Sequence, residues 1–190
     1  MHRITGERKT SASAVNRKAA EYFLKLARET KEGQFYIIAA SLIHSAFTHE
    51  AFLNSLGPKV ISFWDELDRL PVAQKLTIIC GLIGYKPNHS TRPYQTLVSL
   101  FRFRNRLAHG RDEIVRVEGK KIKVTSHIDY FNALGPDWEQ YCTVQNAEIA
   151  LNDIKSIATN LSERAGIEKF VGYPFGSIGS GTYSINGADA

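Results

Sequence analysis

The strongest structural signal in the chain is FRFRNRLAHG, residues 101–110. Its apolar positions recur at helical spacing, and Gly110 stands where a left-handed glycine commonly ends a helix. On an ideal helix, Arg104 falls about 20° from Leu97, near the centre of the apolar stripe. A buried guanidinium is costly unless a specific partner pairs with it. The sequence therefore predicts a helix over 94–109 whose apolar stripe carries one arginine in need of an acidic partner.

A second helical segment, 35–56, has an acid in the same anomalous position. Glu50 falls within the apolar face of this segment, and we expect it to meet Arg104, because breaking a buried pair typically costs ~3–5 kcal/mol. Two alternatives stay open: the pair only fixes helix register, or either stripe faces solvent or another subunit. The spacing assigns the following residues to the apolar face: Tyr36, Ala39, Ala40, Ile43, Ala46, Phe47 and Asn54.

Helical periodicity, capping residues and Gly or Pro stop signals predict the other helices. Gly57-Pro58 should end the second helix. After the 94–109 helix the apolar spacing changes to an alternating one, which predicts a β-hairpin at about 113–124. The fold class is therefore mainly α: an antiparallel bundle of four to five main helices with a small β-hairpin insertion. The full set of expected helices is 13–30, 35–56, 62–70, 71–83, 94–109 and 146–164.

The length and composition favour one folded domain. The chain has 190 residues, of which 43% are hydrophobic, enough for a substantial core. We expect the helical domain to span 13–168, with the hairpin inside it. Residues 1–12 should form a flexible basic arm, and the Gly/Ser-rich tail 169–190 should be poorly ordered.

Several function classes are disfavoured by composition and motifs. The net charge of +5 permits a polyanionic partner such as RNA without requiring one. Cys80 and Cys142 lack CxxC partners, so we expect buried reduced thiols rather than a zinc site or a disulfide. His49-Glu50 begins like the metal-binding motif HExxH, but Leu53 stands where the second histidine belongs, so no metal is expected. With no signal peptide or membrane-spanning stretch apparent, we expect a cytoplasmic protein without membrane association.

The end of the 94–109 helix also carries residues suited to acid–base chemistry. Asn105 and His109 lie one turn apart and share a face. A histidine there can exchange protons near neutral pH, although a cation at a helix C-terminus can equally be a partner of the helix dipole. Arg104 and His109 diverge by about 140° on an ideal helix. A joint site therefore needs the reach of Arg104, a distorted last turn or a second protomer, and we favour the second protomer.

The string Arg104-Asn105-Arg106-Leu107-Ala108-His109 resembles the signature of the HEPN superfamily, an arginine followed by a polar residue and then, a few residues later, a histidine. The resemblance covers roughly 13–111 and, more loosely, 146–164. It implies an α-helical bundle that forms homodimers. Many members are metal-independent endoribonucleases of toxin–antitoxin, abortive-infection and phage-defence systems, whereas others are non-catalytic scaffolds.

The resemblance implies a role for each candidate residue. Arg104, Asn105 and His109 would be catalytic, with Glu50 supporting Arg104, and no metal or cofactor would be needed. The 2′-OH of RNA would attack the neighbouring phosphate and leave a 2′,3′-cyclic phosphate. Expected partners are RNA, a second copy of the chain, and an antitoxin or defence-system protein. The residues expected to bind RNA are Arg102, Arg106, Arg111, Lys120 and Lys121.

One departure from the family pattern concerns regulation. Some toxins of this family carry a tyrosine two residues after the histidine that an antitoxin nucleotidyltransferase modifies, whereas this chain has Arg111 there, so we do not expect that mode of control. Lys120 and Lys121 can also be a solvated edge that discourages aggregation. The alternative function is a non-catalytic HEPN-type adaptor or dimerisation module that binds a partner protein or a nucleotide.

Overall fold

A bundle of helices forms most of the described chain, which in this computed structural model comprises residues 3–116, 118–119, 134–167 and 177–184. Its main helices pack around one core in which leucine and isoleucine predominate. The mainly helical fold class predicted from periodicity is confirmed. The helices are α1 (Ala12–Glu29), α2 (Gln34–Val60), α3 (Trp64–Leu67), α4 (Val72–Leu82), α5 (Tyr94–His109), α6 (Asp137–Tyr141) and α7 (Val144–Arg164).

Side-chain caps define where two of the long helices begin. Ser11 accepts a hydrogen bond from the backbone N–H of Ala14 at 3.2 Å, which opens α1. Thr143 accepts one from the N–H of Asn146 at 3.1 Å, which opens α7. Each cap satisfies one of the backbone donors that a helix start leaves unpaired. α1, α2 and α7 pack together, while α4 packs against α2, and α5 packs against both α2 and α7.

The expected end of α2 at Gly57-Pro58 is wrong, because the helix continues to Val60. A proline so near the end of a helix removes only one late backbone hydrogen bond, and the N–H of Ile61 still closes the last turn on the Gly57 carbonyl at 2.8 Å. Gly57 serves packing instead. A Cβ added there would come within 2.2 Å of the Trp64 ring, so α3 lies directly against α2 at this glycine.

α5 ends at the predicted residue but by a different mechanism. Gly110 has φ −62° and ψ 148°, so the predicted left-handed glycine is wrong. Glycine is required there by a close approach, because a Cβ would lie 2.2 Å from the carbonyl oxygen of Arg106. The chain therefore leaves α5 in extended conformation directly over its last turn.

Two strands occupy parts of the arm and the tail. β1 (Arg3–Thr10) pairs with β2 (Ser177–Ser184) in an antiparallel two-stranded sheet, where we expect a flexible arm and a poorly ordered tail. Backbone pairing between two chain ends far apart in sequence leaves no local signal. The predicted hairpin at 113–124 is not found at 113–116 or 118–119, and its other positions lie outside the described residues.

Candidate functional site

The predicted meeting of Glu50 and Arg104 is confirmed. Nη2 of Arg104 lies 2.9 Å from Oε2 of Glu50, which joins α5 to α2. Nη1 of Arg104 donates to Oδ1 of Asn105 at 3.0 Å. The guanidinium carbon also lies 5.7 Å from the centre of the Phe47 ring, a cation–π distance. Arg104 is thus held by a carboxylate, an amide and an aromatic face.

The pair is more accessible than the helical wheel predicts. The side chains of Arg104 and Glu50 are 24% and 29% exposed. The buried residues of α5 end at Phe103, so the last one and a half turns extend beyond the core. A helical wheel treats an apolar stripe as buried along the whole helix. This assumption fails where the helix extends beyond the elements packed against it. As a result, part of the guanidinium can meet a ligand from solvent.

The buried face of α2 also differs from the predicted one. Ala39 and Ala46 are buried as expected, but Tyr36 and Phe47 are exposed. The buried stripe runs instead through Leu42, Ser45, His49, Phe52 and Leu56. Fully buried His49 is the site residue that the sequence reasoning missed, although its spacing of three and four residues from these neighbours is a usable signal.

Asn105 and His109 are both exposed on α5, and His109 is its last residue. Since α5 is an α-helix up to His109, a distorted last turn does not reduce the divergence of about 140° between Arg104 and His109. The side chain of Arg104 is also engaged with Glu50 and Asn105. The single chain thus brings Glu50, Arg104 and Asn105 together, and His109 stands apart from them.

A cavity of about 360 Å³ opens beside Arg104 and Asn105, between α5 and the start of α4. We call it the His49 cavity. Burial lowers the pKa of His49 to about 4, so its imidazole is neutral near pH 7. The cavity is lined by His49, Pro71, Val72, Ala73, Leu76, His89, Leu97, Val98, Phe101, Arg104 and Asn105.

The opposite flank of α5 carries two of the residues expected to bind RNA. Arg102 and Arg106 line a second cavity, of about 300 Å³, whose wall includes Trp138. Arg106 pairs with Glu113, which also accepts a hydrogen bond from Nε1 of Trp138 at 2.9 Å. The structure therefore separates these arginines from Asn105, and Trp138 is an aromatic neighbour that sequence spacing did not indicate.

Of the other three residues predicted to bind RNA, the structure describes only Arg111. Arg111 is exposed and lines a third cavity, of about 430 Å³, which shares Arg106 and Trp138 with the second one. Lys120 and Lys121 lie outside the described residues. These two cavities are also lined by four acidic residues, so the arginines share this side of the molecule with carboxylates: Asp112, Glu113, Asp137 and Glu139.

The two cysteines are buried and unpaired with each other, as expected. Burial raises the pKa of Cys80 to about 11 and that of Cys142 to about 12, so both thiols stay protonated. Within the described residues no group of three or more His, Cys, Asp or Glu side chains is placed to hold a metal ion. No helix in the described ranges is long and apolar enough to cross a membrane.

Comparison with protein-family models, curated proteins and solved structures found no match to this chain.

Proposed function

We propose that the protein is a metal-independent endoribonuclease of the HEPN type, a toxin or abortive-infection effector. The observation that supports this proposal is the fixed and partly accessible position of the Arg104 guanidinium. Glu50 and Asn105 fix its guanidinium at an accessible helix end that also bears His109. A cation held in fixed geometry and a histidine able to move protons are what cleavage of an RNA backbone needs from a protein.

The proposed reaction uses the nucleophile that RNA itself supplies. Neutral His109 takes the proton from the 2′-OH, whose oxygen attacks the adjacent phosphorus. The bond from phosphorus to the 5′-oxygen breaks, the leaving oxygen takes a proton from water, and His109 returns its proton to the solvent. Arg104 and Asn105 donate hydrogen bonds to the non-bridging oxygens as negative charge develops there. The products are a 2′,3′-cyclic phosphate and a 5′-hydroxyl.

A two-protomer site reconciles this chemistry with the geometry of α5. Within one chain Arg104 and His109 point about 140° apart on the helix, so His109 of one protomer would act with Arg104 of the other. Two large apolar side chains near Arg104 support such an interface. Phe47, whose ring faces the guanidinium, and Leu107 are each 38% exposed, and a second copy of α5 would cover them.

The experiment is incubation of the purified protein with a mixed RNA in EDTA, followed by analysis of the RNA ends. We expect cleavage that leaves cyclic-phosphate ends. Both His109→Ala and Arg104→Ala should abolish this cleavage. Arg28→Ala is the matched control for Arg104→Ala, because Arg28 also pairs with a carboxylate, Glu148 at 2.9 Å, but on another face. No cleavage by the wild type, or equal cleavage by His109→Ala, would contradict the proposal.

One observation favours the non-catalytic adaptor as a second candidate. Arg104 contacts Glu50, Asn105 and Phe47. An arginine whose only role is to hold α2 against α5 would make the same contacts. Under this alternative Arg104→Ala lowers the melting temperature, whereas His109→Ala leaves every measured property of the protein unchanged.

A further inference from the structure

The His49 cavity is a feature that the proposed cleavage chemistry does not use. Its volume of about 360 Å³ lies in the range of small-ligand sites, ~300–1,000 Å³. Seven of its eleven lining residues are apolar, and the half-buried Arg104 and exposed Asn105 line its outer part. The apolar residues are Pro71, Val72, Ala73, Leu76, Leu97, Val98 and Phe101.

His49 is anomalous in this wall. Its side chain is 0% exposed, and among the described residues neither ring nitrogen has a hydrogen-bond partner. Leaving a buried polar group unpaired costs ~1–3 kcal/mol, and folded proteins keep few such groups without a reason. The ring of Phe101 lies edge-on to the imidazole, with centres 5.9 Å apart. Phe101 is only half-buried and lines the same cavity, so a ligand can reach the buried imidazole only if a neighbouring side chain such as Phe101 shifts.

We propose that the His49 cavity binds one unstacked nucleobase of the RNA, with His49 as its hydrogen-bond partner and Phe101 as its stacking surface. The inference rests on the proposed endoribonuclease function. The bound base would be the one next to the phosphate that Arg104 and Asn105 hold. It gives the enzyme a contact with a base, in addition to its contacts with the backbone.

The chemistry of the wall favours a base over other small ligands. Neutral imidazole offers one donor and one acceptor, and the edge of a base carries both, so it can satisfy whichever nitrogen faces the cavity. An aliphatic chain would leave His49 unpaired. A carboxylate or phosphate deep in the cavity would lose its hydration against apolar walls and a neutral ring. The cationic and amide groups lie only at the outer part, where the phosphate of a nucleotide would be.

The test measures binding in the cleavage-deficient His109→Ala protein, so that it does not depend on turnover. The probes are the four ribonucleoside 3′-monophosphates, with ribose 5-phosphate as the ligand without a base. We expect at least one nucleotide to shift the imidazole NMR signals of His49, and ribose 5-phosphate not to do so. His49→Phe in the same background should weaken that nucleotide's binding about tenfold, the loss of one buried hydrogen bond.

A second variant covers the case in which His49→Phe does not fold. Val98 is 48% exposed and lines the cavity, so Val98→Trp should obstruct it without disturbing the core. Leu82→Trp is the matched control, since Leu82 is a 58% exposed residue at the far end of α4. It should leave binding unchanged, whereas Val98→Trp should abolish it.

The outcomes separate this inference from the proposed function. If no nucleotide shifts the His49 signals, or if His49→Phe and Val98→Trp bind nucleotide as tightly as the parent protein, the base site is overturned. If His49→Phe cleaves RNA with unchanged kcat and KM, the base site is also overturned, but the proposed nuclease function is not contradicted. If the wild-type protein cleaves no RNA but specific nucleotide binding in the cavity is observed, the base site is supported and the proposed nuclease function is contradicted.

Discussion

At the scale of the residue, Glu50 controls the position of Arg104. Its Oε2 accepts from Nη2 of Arg104 at 2.9 Å, and both side chains retain about a quarter of their exposure. Glu50→Gln keeps the shape and removes the charge. We expect the free energy of unfolding to fall by only about 1 kcal/mol or less, because partly exposed ion pairs contribute little. RNA cleavage should fall by about tenfold or more, because the guanidinium loses its fixed direction.

The control for Glu50→Gln is Glu148→Gln, which breaks the exposed pair between Arg28 and Glu148. Urea denaturation and initial cleavage rates should show that Glu148→Gln changes neither quantity appreciably. If Glu50→Gln lowers stability strongly while the cleavage rate per folded molecule stays the same, the positioning role of Glu50 is wrong.

His49 makes the stability of the protein depend on pH. Burial lowers its pKa from 6.5 to about 4, so between these values the unfolded chain binds a proton that the folded protein does not. The free energy of unfolding therefore falls as the pH falls through this window, by up to roughly 3 kcal/mol from this residue. His44, whose pKa burial also lowers, adds a change of the same sign.

Comparison of the wild type with His49→Phe isolates this effect, since all other groups are shared. Urea denaturation from about pH 7 to about pH 4.5 should show a steeper loss of stability in the wild type. Equal slopes for the two proteins would mean that His49 is protonated in the folded state or is accessible to water.

At the scale of the element, replacement by alanine should have opposite effects on stability at three glycines, two inside helices and one directly after α5. Gly57→Ala should destabilise by about 2 kcal/mol, since the new Cβ would lie 2.2 Å from the Trp64 ring. Gly110→Ala should destabilise by about 1 kcal/mol, because its Cβ would meet the Arg106 carbonyl at the end of α5.

The matched control is Gly81→Ala, because Gly81 is exposed inside α4 and nothing lies within 4 Å of an added Cβ. It should stabilise by ~0.5–1 kcal/mol, since alanine loses less backbone entropy than glycine in a helix. Thermal or urea unfolding of the three variants checks the signs. A stabilising Gly110→Ala would show that the chain does not pass as closely over the last turn of α5.

The elements differ in how far sequence alone predicts them. The extents of α1 and α5 follow from periodicity, caps and stop signals, which are local. The end of α2 does not, because whether a helix passes Gly57-Pro58 depends on Trp64, which packs there in three dimensions. The pairing of β1 with β2 is likewise a contact between opposite ends of the chain.

The candidate site was predicted in part for the same reason. Two charges out of place on two apolar stripes were sufficient to predict the contact between Glu50 and Arg104. Sequence spacing cannot show that α5 extends beyond the core, which leaves about a quarter of each side chain of the pair exposed. His49 is not predicted as a core residue, because a histidine beside Glu50 has no apolar character of its own and its burial depends on the face that α2 turns toward α5.

At the scale of the whole molecule, the account requires two protomers for one site. Arg104 is engaged within its own chain, His109 lies at the exposed end of the same helix, and Phe47 and Leu107 leave apolar surface beside them. We expect Leu107→Glu to weaken self-association and to lower cleavage in proportion, because a charge would be buried in the interface. Analytical ultracentrifugation with parallel rate measurements checks this, and Leu82→Glu, on another exposed surface, should change neither.

The central claim is that Arg104 of one protomer and His109 of another cleave RNA together without a metal. Its most direct test is RNA cleavage in EDTA by an equimolar mixture of Arg104→Ala and His109→Ala, each inactive alone. A mixed dimer contains one intact Arg104 and one intact His109 on different protomers, so the account predicts that mixing restores part of the wild-type cleavage. Mixed dimers that form but cleave no RNA, where the wild type does cleave it, would contradict the composite site.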